Sequence, residues 1–486
     1  MPLKKSANEI ALGKLGYLEE DFKRPLVGII YASGEIKSTN SNLKGILESA
    51  QNSVIAHGGN AVVLACPTLG CGILNADKYE LPAREIIADT TESYCIENGF
   101  DAVLLISDND YLASGLIMGA SRFNIATAYI STVPGKMPCV AEVLGISLKG
   151  NGTFGSFSKE RLQLASMTGR ALMSAFNNQI TIKKVITKDS LKNALKFNLA
   201  SISSINILIN LFAIALELKI SEKDFGVDML NQTSDSTPTL CKFCSGFYEK
   251  LNAAGGVSAV LKELNSSKLP LLDSQTISGE TIFSIIKKAE NTDDEFVKKL
   301  DSPYSQNSSL VLVKGNLAEN GAFCRRLDYS KDLLTTSGPA KVYDSYETAQ
   351  YAITNGAINS NEIIVVKFEG AKGSGIREME FSKLIKKAGL SNIVMISDGR
   401  IKGELEYLAL SCVSPEGLNG GNIGVIQNGD IIELNIPRLT VNLKVSSKDL
   451  DKRHKQTQMP EKQPTSYLKR YSASVSDSVK GAYLTN

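Results

Sequence analysis

Histidine is scarce in this sequence, with two residues, His57 and His454, among 486. This scarcity argues against a mechanism that depends on a histidine base and against a histidine-rich metal site. Chemistry by carboxylates, thiolates, lysine or backbone groups stays open.

An excess of charge is also absent, because 53 basic residues face 51 acidic ones and the net charge is +2. Proteins whose main partner is nucleic acid usually carry a basic excess, so we expect no such partner. The N-terminal segment has no apolar core of signal-peptide length. The most apolar run, 202–218, contains Asn206, Asn210 and Glu217 and is short for a bilayer span. We therefore expect a buried helix there, no membrane segment and a cytoplasmic protein.

Eight cysteines occur in this long chain. Without a secretory signal they are expected to be reduced thiols or metal ligands, not disulfides. Cys66, Cys71 and Cys139 follow or neighbour predicted strand ends and could form a metal site. The alternative, which we prefer, is that Cys66 is a small buried apolar residue. Cys241 and Cys244 have the spacing of a zinc or redox pair, but they form a single pair, so we interpret them as ordinary residues.

Apolar and amphipathic segments alternate over the first 132 residues. The predicted strands are 25–33, 60–66, 101–107 and 126–132, and the predicted helices are 42–57, 82–98 and 114–123. Such alternation predicts a parallel sheet covered by helices. Ligands of these sheets bind beyond the carboxyl ends of the strands. Four loops meet there, namely 31–35, 66–71, 107–110 and 131–135.

The later sequence changes in texture. It is mostly helical to about residue 300, and from about 308 it consists of short strands broken by glycine turns, including the hairpin signal Asn428-Gly429. We predict an α/β domain over 1–305 and a smaller β-barrel-like domain over 306–450. The tail, 451–486, is expected to be a solvated arm or a packing extension.

Several motifs carry a resemblance to a known family. They include ELPAREIIADTTE (80–92), DAVLLISDNDYLASGLIMGASRFNIAT (101–127), PYSQNSSLVLVKGNLAENGAFCR (303–325), VVKFEGAKGSGIREME (365–380) and CVSPEGLNGGNIGVIQNGDIIELNIP (412–437). In this order they resemble the family of dihydroxy-acid dehydratase and phosphogluconate dehydratase. The resemblance implies an α/β domain joined to a swivelling β-barrel domain, a site between them, and a dimer. It also implies the elimination of water from a 2,3-dihydroxy acid to give a 2-keto acid.

The resemblance further implies an iron–sulfur cluster held by three cysteines. Ser41 stands at the place of the first cysteine and Asn109 at that of the second. The glycine-rich segment that would carry the third is deleted, and Cys139 lies near the gap without matching the motif. Oxygen donors replace thiolate poorly on iron, so we predict that the cluster is absent.

A magnesium ion held by carboxylates and a carboxylated lysine is the second implied cofactor. Asp110 and Glu378 match the carboxylates, whereas Tyr111 replaces the lysine, and Asp77 is the nearest candidate for a further aspartate. Two or three carboxylates suffice for weak magnesium binding with waters. Magnesium therefore stays a candidate cofactor.

The implied serine base is replaced by Lys402 in the stretch DGRIKG, which retains Gly399 and Arg400. A lysine in an enclosed cleft can act as a base or nucleophile; alternatively, Lys402 points into solvent beside Glu404. Tyr111 acts as an acid or fills the space of the cluster. Arg400 binds a carboxylate or forms an internal ion pair.

Three functions follow from these replacements. In the first, the chain is a lyase-type enzyme that acts on a small hydroxy acid without a cluster. Its predicted catalytic residues are Lys402 and Tyr111, and its predicted substrate-binding residues are Arg400, Gly399, Ser41 and Asn109. In the second, it is an inactive paralogue that binds a ligand or a partner subunit. In the third, it is a conventional hydro-lyase of 2,3-dihydroxy acids. We expect a homodimer or a dimer with a paralogue.

Overall fold

The structure is a computed structural model. It describes residues 13–14, 16, 18, 21–33, 42–67, 76–267, 269–326, 329, 331–402, 407–462 and 465–485.

The N-terminal part is built on a parallel sheet of four strands. The strands are β1 (Leu26–Ala32), β2 (Asn60–Ala65), β3 (Ala102–Ser107) and β4 (Ala126–Ser131), in the order β2-β1-β3-β4. The helices beside them are α1 (Leu43–Ala56), α2 (Ala76–Asn98), α3 (Asp110–Ser121), α4 (Lys136–Leu144) and α5 (Lys159–Asn177). Every residue of β3 and β4 is buried, as the continuous apolar runs require. The predicted parallel α/β sheet is confirmed.

Two helix starts differ from the sequence-based expectation. Helix α3 begins at Asp110, not at residue 114, because the Asn109 side chain caps it by accepting the Tyr111 N–H at 2.8 Å. Helix α2 begins before Pro82, which therefore lies inside it. As the seventh residue of α2, Pro82 lies beyond the first turn and therefore removes one backbone hydrogen bond of the helix.

A helical layer follows the sheet. Its helices are α6 (Ile182–Val185), α7 (Lys188–Phe197), α8 (Ile205–Glu217), α9 (Leu230–Ser236), α10 (Phe247–Ala253), α11 (Val257–Asn265) and α12 (Ile282–Lys287). Helix α8 comes from the most apolar run of the sequence and packs against α3. Within the described ranges, no helix combines the length and apolarity needed to cross a membrane.

The C-terminal part contains a closed barrel of eight strands. The strands of this part are β5 (Leu310–Gly315), β6 (Ala318–Arg325), β7 (Thr335–Tyr343), β8 (Ile363–Val366), β9 (Glu378–Met379), β10 (Ile393–Ser397), β11 (Arg400–Ile401), β12 (Tyr407–Ser414), β13 (Ile431–Asn435) and β14 (Thr440–Leu443). Of these, β9 and β11 are short and lie outside the barrel. The barrel order is β10-β12-β6-β5-β14-β13-β7-β8, while β9 and β11 pair with each other in parallel. The predicted barrel is confirmed.

Short helices decorate the barrel and form the tail. They are α13 (Lys331–Leu334), α14 (Tyr346–Thr354), α15 (Ala371–Ser374), α16 (Ser382–Lys387), α17 (Ser447–Gln456) and α18 (Ser466–Ser474). Leu468 and Tyr471 of α18 are buried, as are Val475 and Val479 after it. This part of the tail therefore packs against the rest of the chain. The domain limits at 305 and 450 stay predictions.

Candidate functional site

Polar side chains from both halves of the chain meet at the carboxyl edge of the parallel sheet. Asp110 and Tyr111 open α3 directly after β3. Glu378 and Arg400 come from the paired strands β9 and β11, in which they are register partners. Asn206 comes from the first turn of α8. The fold thus joins four of the residues that the sequence predicted for the site, Asp110, Tyr111, Glu378 and Arg400, to one that it did not.

Arg400 joins the barrel side to the α/β side of this cluster. One of its terminal nitrogens donates to the Tyr111 hydroxyl and to the Asn206 amide oxygen, each at 2.6 Å. The other donates to Glu80 at 2.8 Å, and Nε donates to the Ile376 carbonyl at 2.8 Å. Arg400 is 2 % exposed. The guanidinium is therefore held by an internal ion pair, one of the two roles considered from the sequence.

Tyr111 is 8 % exposed, and its hydroxyl also accepts the Asn206 amide N–H at 2.9 Å. Burial, together with the negative charges of Glu80 and Glu378, raises the pKa of Tyr111 far above its ordinary value, although Arg400 opposes this. The phenol is consequently protonated at neutral pH. A buried protonated hydroxyl can fill space and can also supply a proton.

The two carboxylates of the cluster differ in their electrostatics. Asp110 accepts the Met137 N–H at 2.9 Å, but burial raises its pKa above the ordinary value. Glu378 accepts the Asn206 amide N–H at 3.1 Å. Burial opposes its ionisation, yet the Arg400 charge and the Asn206 bond outweigh burial and hold the pKa of Glu378 below the ordinary value. Glu378 is therefore the more firmly ionised of the pair.

Lys136 is a site residue that the sequence reasoning missed. It is the half-buried first residue of α4, and its ammonium lies 4.9 Å from the centre of the Phe243 ring. Burial lowers the pKa of Lys136, while the charges of Asp110 and Glu378 oppose that change. A signal was available, because Lys136 directly follows loop 131–135, which was expected at this edge of the sheet.

Lys402 lies at the rim of the cluster. Its ammonium pairs with Glu380 at 3.2 Å, and 48 % of its side chain is exposed. Its backbone N–H donates to the Met379 carbonyl at 2.8 Å. The charge of Lys402 helps to lower the pKa of Glu378. Its catalytic role stays a prediction.

The remaining predicted site residues are placed as follows. Gly399 donates its N–H to Ser397 at 2.9 Å, and a Cβ there would lie 2.8 Å from the Glu369 carbonyl, so the backbones approach too closely for a side chain. Asn109 uses its side chain as the α3 cap. Ser41 lies outside the described residues.

The family model for the dihydroxy-acid/6-phosphogluconate dehydratase C-terminal domain matches residues 295–482. The corresponding N-terminal model matches 24–136 and 135–285. The chain belongs to this dehydratase family. The two N-terminal matches meet where the sequence predicts a deletion.

Curated relatives agree with the family models. A dihydroxy-acid dehydratase of Agathobacter rectalis is 34% identical over 97% of this chain and 95% of the relative. Another, from Clostridium botulinum (strain Eklund 17B / Type B), is 34% identical over 99% and 98%. A third, from Caldanaerobacter subterraneus subsp. tengcongensis, is 32% identical over 96% and 95%. The first alignment spans 534 positions, more than the 486 residues of this chain.

The cofactors that this dehydratase family implies need a group of metal-binding side chains. Among these residues, no three histidine, cysteine, aspartate or glutamate side chains are grouped to hold a metal ion. Asp110 and Glu378 face the protein's own cations, Arg400 and Lys136, which compensate their charge. The described donors therefore do not fit the implied magnesium ion.

The described cysteines near the sheet edge are also poor ligands. Cys66 is 6 % exposed, and burial raises the pKa of its thiol to about 11. Cys139 is fully buried, donates to the Gly152 carbonyl at 3.6 Å and has a pKa well above the ordinary value because of burial. A cysteine must be a thiolate to bind a metal, and burial disfavours the thiolate form of both Cys66 and Cys139. Cys71 lies outside the described residues.

Two buried acids, Asp398 and Glu416, lie close to Gly399 and Arg400. Asp398 accepts three backbone N–H groups, from Phe368, Glu369 and Gly417, yet burial raises its pKa to about 6. Burial, followed by the charge of Asp398, raises the pKa of Glu416 to about 8. Within the described chain, one oxygen of Glu416 has no hydrogen-bond partner.

These acids predict a pH dependence of stability. Because the folded pKa of Glu416 lies above its unfolded value of 4.5, its stabilising contribution is complete below that pH and is lost as pH rises through about 8. The loss should amount to roughly a few kcal/mol. Urea unfolding between pH 5 and 9 measures it, and Glu416→Gln should flatten the profile. Equal slopes in both proteins would contradict the prediction.

Proposed function

We propose that this dehydratase-family protein is a lyase-type enzyme that acts on a small hydroxy acid in a site without an iron–sulfur cluster. The observation that carries the proposal concerns Asn109 and Tyr111, which stand at two positions where the family holds its cofactors. Both side chains are bound to other groups of the protein. The Asn109 side chain caps α3, and the Tyr111 hydroxyl bonds Arg400 and Asn206. Two carboxylates at the family's metal positions, Asp110 and Glu378, nevertheless remain at the carboxyl edge of the sheet.

Elimination of water from a hydroxy acid needs a base and an acid. The base removes the proton alpha to the carboxylate and the acid protonates the departing hydroxyl at C3. When the substrate also carries a hydroxyl at C2, the product is an enol, which becomes a 2-keto acid. We assign the base to Lys402 and the acid to Tyr111, whose raised pKa keeps it protonated. The phenolate that forms is stabilised by Arg400 at 2.6 Å. Lys402 acts as its neutral amine, and the proton that it takes up returns through water to the Tyr111 phenolate, which closes the cycle.

A second candidate is a paralogue that binds a ligand or partner subunit without catalysis. It is favoured by the internal bonding of Arg400 and Tyr111, which leaves these side chains occupied in the absence of substrate. In either case we propose a dimer, with itself or with a paralogue, and a small carboxylate as the ligand.

A substrate screen separates the candidates. The purified protein is incubated with 2,3-dihydroxy acids, and 2-keto acid formation is followed with and without an iron chelator. The enzyme proposal expects turnover that the chelator leaves unchanged. Turnover abolished by the chelator would indicate the conventional hydro-lyase. Thermal stabilisation by an acid without turnover would favour the binding paralogue.

The Lys402 assignment makes a separate prediction. Lys402→Ala should lower kcat by about 10²- to 10⁴-fold, the usual contribution of a positioned base. The matched control is Lys383→Ala, which removes an exposed lysine from α16. Initial rates of keto acid formation give the comparison. Unchanged kcat in Lys402→Ala would remove this residue from catalysis.

A further inference from the structure

Lys136 differs from the other cations of the cluster in its partners. Arg400 is paired with Glu80, and Lys402 is paired with Glu380. Among the residues that the structure describes, no carboxylate forms an ion pair with Lys136, and the Phe243 ring face is its close neighbour at 4.9 Å. An ammonium has three N–H donors. In a half-buried position, donors that face no protein acceptor are suited to a ligand.

Cations gather around Lys136. Arg325 and Lys402 are both near enough to disfavour its charged form. Arg325 donates one N–H to the Ser203 carbonyl at 2.9 Å and lies at the end of β6. Like charges close together in a partly buried place are unfavourable unless an anion accompanies them. Asp110 and Glu378 provide part of the compensation from across the cluster.

Both of those carboxylates have other donors at short range. Asp110 accepts the backbone N–H of Met137, at the start of the helix that Lys136 begins. Glu378 accepts the Asn206 amide. One oxygen of each carboxylate is thus bound by another protein donor, and neither carboxylate forms a close ion pair with the Lys136 ammonium, which can therefore accept a further anion. Phe243, which is 48 % exposed, forms an apolar wall beside it.

We propose that Lys136 binds the carboxylate of the small acid ligand, with Arg325 as the nearby second cation. This inference rests on the proposed function only for the class of ligand, a short hydroxy acid. The apolar face of Phe243 suits the carbon chain, and the ammonium orients the acid at the carboxyl edge of the sheet. The carbon next to the bound carboxylate is then the one whose proton is removed.

Binding of defined probes tests the inference. Glycerate, lactate and 2,3-dihydroxy-3-methylbutanoate are titrated calorimetrically into the full chain, with glycerol as the probe that lacks the carboxylate. Lys136→Met should weaken acid binding by about tenfold to a hundredfold, the effect of losing one charge-assisted bond. Lys136→Arg should retain most of the affinity. Glycerol should bind to none of the proteins.

The matched control is Lys159→Met, because Lys159 is also the first residue of a helix but is exposed. It should bind the acids as the unchanged protein does, and circular dichroism checks that each variant is folded. Equal affinity of Lys136→Met and the unchanged protein would overturn the inference, as would failure of all three acids to bind. Turnover unaffected by Lys136→Met would overturn it and leave the proposed enzyme standing. Binding that depends on Lys136 without any turnover would support it and reject the enzyme.

Discussion

Replacing Arg400 with methionine is expected to lower the free energy of unfolding by about 3–5 kcal/mol, the usual result of removing one partner from a buried ion pair. Arg400 is 2 % exposed and donates to Glu80, Tyr111, Asn206 and the Ile376 carbonyl. The variant removes the arginine donor from each of these acceptors at the junction of the barrel and the α/β part, and it leaves the Glu80 carboxylate without its cation. Both parts should therefore be less stable.

Urea unfolding followed by circular dichroism measures the effect. Arg438→Ala removes an exposed arginine from the same barrel and should change the free energy of unfolding by less than about 0.5 kcal/mol. A loss as small for Arg400→Met as for this control would contradict the proposed junction.

The loss of stability in Arg400→Met should also depend on pH. Burial already raises the pKa of Glu80, and Arg400 opposes that rise. Without Arg400 the folded pKa of Glu80 moves further above its unfolded value, so neutral Glu80 stabilises the fold at low pH and this contribution is lost as pH rises. The deficit of Arg400→Met should be larger at neutral pH than under acidic conditions. Adding Glu80→Gln should restore part of the lost stability.

Replacing Arg84 with methionine is expected to cost a similar amount, about 3–5 kcal/mol. Arg84 is fully buried on α2 and donates to the Gly481 carbonyl at 2.9 Å and the Ala482 carbonyl at 2.6 Å. It also pairs with Glu85 at 2.7 Å and bonds Asn210 at 3.0 Å. The chain end is thus fastened to the core, and the variant leaves the Glu85 charge buried.

Thermal unfolding and limited proteolysis measure this second effect. Arg84→Met should lower Tm and should expose the segment after α18 to protease before the rest of the chain is cut. The control is Arg470→Ala, which removes an exposed arginine from α18 itself. Proteolysis at the same rate in both variants would show that Arg84 does not hold the chain end.

The two halves of the fold were predictable for different reasons. The continuous apolar runs of β3 and β4 require a sheet buried on both faces, and their alternation with helices requires parallel pairing. The glycine turns after residue 308 indicated separate short strands, which the structure closes into a barrel. Helix starts were less predictable, because the α3 start depends on the side-chain cap of Asn109.

The candidate site was partly predictable. Asp110 and Tyr111 follow a buried strand, where parallel sheets place their ligands. The contact between Tyr111 and Arg400 spans 289 positions, so no local pattern could reveal it. Asn206 was visible as a polar residue in an apolar run, but its bonds to Tyr111 and Glu378 depend on how α8 packs. Lys136 could not be predicted as a site residue without knowing which strand ends lie beside helix α4.

The central claim is that this dehydratase-family site works without an iron–sulfur cluster. The most direct measurement is the iron and acid-labile sulfide content of protein purified without oxygen, together with its visible absorption spectrum. The cluster-free site predicts a colourless protein with iron and sulfide far below one equivalent per chain. A brown protein that contains stoichiometric iron and sulfide would contradict it, and would show that donors other than three cysteines at the family positions can hold the cluster.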